Sequence, residues 1–193
     1  KTELIVDGGT ENNNKKVGRI DHYFLEISGN KTLDFDYLSN YVSNLFIELF
    51  NLKPTLVIKK KENTIGLRIG SKAIVCFFRD LGFPLGKKGD ISIPNWILEN
   101  KRYMLNFLAG YFDTDGCVVL RRKTNGSYPS LAIGSRSEIL LLQTKEFLNS
   151  LFNFPINFWK EEANDKRGFK SIVYRLGING PKRGILVTNL IKI

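Results

Sequence analysis

The chain has little sulfur and almost no imidazole: two cysteines and one histidine in 193 residues. Two thiols, Cys76 and Cys117, are too few for a disulfide scaffold or a four-thiolate zinc site. A single imidazole, His22, excludes multi-histidine metal centres and speaks against a Ser-His-Asp triad. No apolar run approaches the roughly 18 residues that a membrane span needs. The opening KTELIVDGGT has no apolar signal-peptide core. An intracellular protein with no membrane partner is therefore expected. Acidic residues are scarce beside basic ones: 19 Asp plus Glu against 29 Lys plus Arg, a formal net charge of +10, with a pI near 9.6. Such an excess suits a polyanion, either nucleic acid or an anionic membrane surface. Otherwise the balance, 42% hydrophobic and 25% charged, is that of an ordinary folded chain.

What is present is an internal repeat. Residues 25–56 and 131–158 each read as a short alternating strand, a Gly/Ser/Asn turn and an amphipathic helix. The helices end in similar phrases, NLFIELFNLKP and EFLNSLFNFP, and the proline stops each one. Each copy returns to a strand, IGLRIG at 65–70 and IVYRLG at 172–177, followed by a helical segment at 72–81 or 182–192. Between the copies, PLGKKGDISIPNW is rich in Gly, Pro and Lys and reads as a linker. The expected division is 1–84, a linker at 85–96, and 97–193. Two copies of an αββαββα pattern predict a pseudo-twofold α+β protein.

The strands alternate. Ile65, Leu67 and Ile69 share one face opposite Arg68; Ile172, Tyr174, Leu176 and Ile178 lie opposite Ser171 and Arg175; Tyr23, Leu25 and Ile27 oppose His22, Phe24, Glu26 and Ser28. Each sheet thus has an apolar face for helices and a polar face left free. Two more strands, LVIKKK and VVLRRK, are basic, with hairpin turns at ENTIG and TNGSY. Lys59, Lys61, Arg68, Arg121, Lys123 and Arg175 are the candidates for phosphate contact from the polar faces. In the helix at about 34–50, Leu38, Tyr41, Val42, Leu45, Phe46 and Leu49 form a core stripe. Trp96, Trp159, Cys76 and Cys117 read as structural residues.

The helix at about 100–112 ends in FLAGYFDTDG. Ala109 and Gly110 are small neighbours that suit a close helix contact, although Gly costs about 1 kcal/mol there relative to Ala. Asp113 and Asp115 fall at the helix C-terminus, where the macrodipole disfavours anions by about 0.3–1 kcal/mol each. Gly116 suits a left-handed residue that closes the helix. Carboxylates set against the dipole are either solvated turn formers or ligands of a divalent cation.

FLAGYFDTDG, the preceding IPNWI and the strand that follows resemble the signature of the LAGLIDADG homing endonucleases, and the repeat has that family's two-half layout. The resemblance implies two pseudo-symmetric αββαββα halves with saddle-shaped antiparallel sheets, in a monomer that binds a long double-stranded DNA target. It implies sequence-specific double-strand cleavage: metal-dependent hydrolysis by water, with Mg²⁺ held by one carboxylate from each half. By position these are Asp115, before Gly116, and Asp7, before Gly8. Asp113, two residues earlier on the helix, points elsewhere. Lys31 and Arg136, in the turns after matched strands, are the basic residues expected to orient water, with Lys72 and Lys182 behind them. The alternative is a cleavage-inactive module that binds DNA or RNA, such as an intron maturase. Self-splicing as an intein is not expected, because ILVTNLIKI lacks a His-Asn ending and Lys1 is no nucleophile.

Overall fold

The computed structural model describes residues 2–8, 21–59, 62–86, 90–124, 126–164 and 170–191. They divide into two compact units, Lys1–Lys88 and Gly89–Ile193.

In the first unit, β1 (Thr2–Gly8) and β2 (Asp21–Asn30) pair antiparallel. A π-helical segment, Tyr37–Val42, runs directly into α1 (Ser43–Phe50). The hairpin β3 (Thr55–Lys59) and β4 (Thr64–Gly70) follows, then α2 (Lys72–Asp80). Strand order is β1-β2-β4-β3. The helices cover one face only. Leu25, Ile65, Leu67 and Ile69 of the sheet are buried against Leu38, Val42, Phe46, Ile74 and Val75. Asn51 ends α1 in the left-handed region (φ 52°), its amide donating to Ile47 O at 2.9 Å. The Ser71 hydroxyl caps α2 by accepting from Ile74 N.

The helical stripe is narrower than its spacing predicts. Leu38, Val42 and Phe46 are buried, but Tyr41 is 62% exposed and Leu49 64% exposed, with Leu45 also at the surface. In the π-helical segment the bonds close i→i+5, so residues four apart stand nearly in line. A single row spaced by four is then enough to meet the sheet, and 41, 45 and 49 turn outward.

The second unit opens with α3 (Asn95–Leu98) and α4 (Lys101–Asp115), then β5 (Gly116–Lys123), β6 (Gly126–Ser135), α5 (Glu138–Leu151), β7 (Asn157–Asn164), β8 (Lys170–Asn179) and α6 (Pro181–Ile191). Strand order is β5-β6-β8-β7, the same pattern as in the first unit. Met104, Leu108 and Phe112 of α4 pack into a core with Ile133, Leu141, Leu148, Leu176, Ile178 and Val187. The α+β reading holds: two antiparallel sheets, each with an apolar face under helices.

The segment 85–96 does not behave as a spacer throughout. Ile93 is 1% exposed and belongs to the second core. Its amide donates to Gln143 Oε1 at 2.7 Å. The Ser137 hydroxyl accepts from Ile91 N (3.1 Å) and donates to Ile91 O (2.6 Å). The Gly/Pro/Lys composition hides the alternation of Ile91 and Ile93, which gives the strap its buried side.

Candidate active site and nucleic-acid interface

The apolar row of α4 faces the core up to Phe112; beyond it Asp113, Thr114 and Asp115 are exposed. Thr114 Oγ1 donates back to Gly110 O at 3.0 Å and lies 3.3 Å from Asp115 Oδ2. Asp115 is the last residue of the helix, so its carboxylate stands in solvent beside the unpaired carbonyls of the C-terminus. Gly116 is not left-handed, as the sequence suggests, but extended (φ −82°, ψ 155°). Its role is close approach. A Cβ there would fall on the Phe112 carbonyl oxygen and within 2.9 Å of the Phe112 Cα. At Gly110 no described atom lies within 4 Å of the place a Cβ would take. Asp113, about 200° around the helix from Asp115, does not share its side.

Tyr111 precedes Asp115 by one turn on the same face. Its ring packs 5.7 Å from that of Phe107, and its hydroxyl is buried with no hydrogen-bond partner. Burial pushes the phenol up to about 12; the nearby Asp115 charge adds to this, and the Ser135 side chain acts against it. Ser135 therefore lies close enough to be felt, but it makes no bond of proper geometry. The phenol stays neutral, with a proton to donate.

The register brings more groups to this end of α4. Gly116 opposes Ile133, so Gly134 and Ser135 run past the junction and Arg136 follows, exposed. Lys31 takes the corresponding turn after β2 and is also exposed. Arg175 opposes Gly134 on β8. It lies across that glycine, where a Cβ would stand 2.7 Å from Nη1, and its Nε is 3.3 Å from Glu161 Oε2. Lys72 and Lys182 are exposed at the starts of α2 and α6, the former 5.2 Å over the Tyr23 ring.

Asp7 does not stand at a helix end. It lies inside β1 opposite His22. Thr2 opposes Ile27, which opposes Leu67, just as Gly116 opposes Ile133, which opposes Leu176. Thr2 is thus the counterpart of Gly116. Asp7 corresponds in register to Arg121. An Asp-Gly pair alone misled the sequence argument, because the pair says nothing about where along a strand it falls.

On the open face of the first sheet, Arg68 reaches Glu26 Oε2 through Nε (3.1 Å) and Nη2 (2.6 Å), and its guanidinium lies 4.3 Å over the Phe24 ring. Glu26 is only 11% exposed at its side chain, against 42% for Arg68. On the second sheet, Trp159 opposes Arg175 and its Nε1 donates to Glu161 Oε1 at 2.7 Å. Each open face therefore carries an arginine tied to a glutamate beside an aromatic ring. Trp159 belongs to this group rather than to the core, as the sequence reading had it. Lys59 opposes Thr64, Arg121 opposes Tyr128 and Lys123 opposes Gly126; Lys61 lies outside the described residues. Among the described residues no three His, Cys, Asp or Glu side chains cluster as a metal cage. Sequence reasoning missed Tyr111, Glu161 and the pairing of Glu26 with Arg68. The parity of Glu26 was legible, but not its partner 42 residues away.

Residues 102–183 match the LAGLIDADG-like domain family. Over 127 residues the chain is 36% identical to the tRNA-splicing ligase RtcB of Pyrococcus abyssi, covering 62% of this chain and 13% of the ligase. The RtcB of Methanopyrus kandleri is 31% identical over 121 residues, with 61% and 12% covered. The chain thus spans about an eighth of the length of these ligases. The homing endonuclease I-DmoI in complex with DNA and Mn aligns with a TM-score of 0.54 at 20% identity, over 96% of this chain and 87% of that one. The I-LtrWI LAGLIDADG homing endonuclease bound to target DNA gives 0.56 at 13%, over 97% and 78%. At such identities the likeness is one of fold. Motif, domain match and fold agree: residues 102–183 match the LAGLIDADG-like domain family, and the chain has the fold of the LAGLIDADG homing endonucleases.

Proposed function

We propose that the chain is a sequence-specific endonuclease of the homing type that hydrolyses phosphodiesters in double-stranded DNA at a long target site. The observation that carries this reading is Asp115. It is an exposed carboxylate at the end of the motif helix, set against the dipole, and among the described residues only the neighbouring Thr114 is shown bonding to it. I-DmoI with DNA and Mn, and I-LtrWI with its target DNA, support it by fold.

A single solvent-facing carboxylate, with no cage of ligands around it among the described residues, suits a divalent cation that keeps several waters and takes its remaining oxygens from a phosphate. Asp115 would hold that ion, Mg²⁺ in our reading. The chemistry supplied by such an ion is polarisation of the phosphoryl oxygen and activation of water. Arg136, in the turn beside the α4 terminus, and Arg175, over Gly134, offset the charge that builds on the phosphate. Lys31 takes the matching place in the first unit. The open sheet faces meet the major groove, where Arg68 and Arg175 reach base edges or phosphates, with Lys59, Lys61, Arg121 and Lys123 adding to phosphate neutralisation. Asp7 is left out of the catalytic set because its register differs from that of Asp115. The ligase name is also left aside, since it belongs to proteins about eight times as long as the matched stretch.

A second reading, a cleavage-inactive module that binds DNA or RNA, is favoured by the register of Asp7, which falls inside β1 and not at the counterpart of Asp115. The test is cleavage of a library of randomised duplexes in Mg²⁺ by the wild type and by Asp115→Asn. Specific double-strand cuts by the wild type alone uphold the endonuclease. Salt-dependent binding without cuts gives the binding module.

A further inference from the structure

The open face of the first sheet carries an acid where a polyanion is expected to lie. Glu26 opposes Arg68 across β2 and β4, and its side chain is far more buried than that of the arginine. One carboxylate oxygen, Oε2, accepts from both Nε (3.1 Å) and Nη2 (2.6 Å) of Arg68. The guanidinium also lies 4.3 Å over the ring of Phe24, which shares the face of Glu26 on β2. Carboxylate and ring together fix both the plane and the rotation of the guanidinium. Among the described residues Nη1 makes no bond. The edge formed by Nη1 and the remaining Nη2 proton is therefore left to donate. On the second sheet Arg175 meets its glutamate at a longer 3.3 Å through Nε, so the tighter clamp is the one on Arg68.

A surface ion pair of this kind adds little stability, and a glutamate on this face repels phosphate. An unclamped arginine would bind DNA more tightly and less selectively. Orientation explains the pair better than stability or affinity does. The fixed edge offers two parallel N–H donors and no acceptor. In the major groove guanine presents two acceptors side by side, O6 and N7, whereas adenine sets an amino donor beside N7.

We propose that Glu26 is a positioning residue that determines specificity: with Phe24 it holds Arg68 so that the outer edge of the guanidinium reads one guanine of the target. The inference rests on the open sheet face being the DNA interface, and not on cleavage.

Duplexes are selected from a randomised library by binding to the wild type in Ca²⁺. The selection is repeated with Arg68→Ala, Glu26→Ala, Glu26→Gln and the double variant Glu26→Ala/Arg68→Ala, with Tm measured for each. In the wild type one position should prefer guanine by at least about 10-fold. Arg68→Ala and Glu26→Ala should both lose that preference, at that same position, and keep the others. Glu26→Gln, whose amide oxygen still accepts from the guanidinium, should retain part of it. Glu26→Ala should also bind unrelated duplex more tightly, since a negative charge has gone. The double variant should match Arg68→Ala.

An unchanged guanine preference in Glu26→Ala overturns the role of Glu26. So does a uniform loss at every position with a lowered Tm, which marks a merely structural ion pair. A base preference that shifts further when Glu26 is removed from Arg68→Ala overturns it too, because the carboxylate then reads a base itself. A wild type that selects a sequence but cuts none in Mg²⁺ sinks the endonuclease reading and leaves this inference standing. A wild type that selects no sequence overturns the interface and the inference with it.

Discussion

Arg175 lies across Gly134, its guanidinium occupying the space that a side chain at position 134 would claim. The contact ties the identity of a residue in β6 to the position of a cation in β8. Gly134→Ala should push Arg175 away from Gly134 and off Glu161. We expect DNA affinity to fall several-fold with little loss of stability, since the guanidinium is at the surface. The log-log salt slope of binding should drop by about one, as when a single phosphate contact is lost. Fluorescence anisotropy at graded salt concentrations measures both.

Gly116→Ala is a different kind of change. Its Cβ meets backbone rather than the tip of a flexible side chain, so the end of α4 must shift. Stability should fall by more than about 2 kcal/mol, and cleavage should disappear even though Asp115 is intact. Urea denaturation beside a cleavage assay separates this from Asp115→Asn, which should leave the denaturation midpoint almost unchanged.

Tyr111 makes alkaline stability informative. Its folded value, about 12, lies above the ordinary 10. The neutral phenol is thus favoured by folding, and the effect is whole below about pH 10. As the pH climbs from about 10 to 12 the unfolded chain releases that proton first, and up to about 3 kcal/mol of stability is lost. Measured in EDTA, the wild type should lose stability over that window relative to Tyr111→Phe. Parallel curves would show that the phenol is not shielded.

The two sides of the π-helical segment and α1 should respond unequally to truncation. Phe46, buried and 5.5 Å from the Phe50 ring, should cost about 3–5 kcal/mol as Phe46→Ala. Leu49→Ala, on the exposed side, should stay within about 0.5 kcal/mol. A helix packed by its full apolar width would show large losses at both.

Ser137→Ala removes one hydroxyl that caps α5 through Leu140 N and also holds both backbone groups of Ile91. A loss of about 2–3 kcal/mol is expected, above that of an ordinary cap. The amide of Ile91 should lose its protection in hydrogen exchange.

Much of this was legible in the residues. Alternation in IGLRIG and IVYRLG put Arg68 and Arg175 on the open faces, and the structure agrees. The decapeptide at 107–116 located the helix end. What could not be read depends on pairing across long separations. Glu26 with Arg68, Arg175 over Gly134 and Ser137 with Ile91 each join distant stretches of chain. Asp7 failed for a related reason: a dipeptide has no register until its strand has a neighbour. The π-helical segment was hidden because Leu38, Val42 and Phe46 fit an ordinary helical pattern equally well.

The hold of Ser137 on Ile91 also decides where this chain can be cut and rejoined. A graft of the second half that begins at residue 97 carries the motif helix but abandons Ile91 and Ile93. It would leave a gap beside α5 and strip Ser137 of two bonds. A graft that begins at Asp90 brings both isoleucines with it. The portable piece is therefore longer than the repeat, and exchanges of halves between related chains should respect the strap rather than the motif.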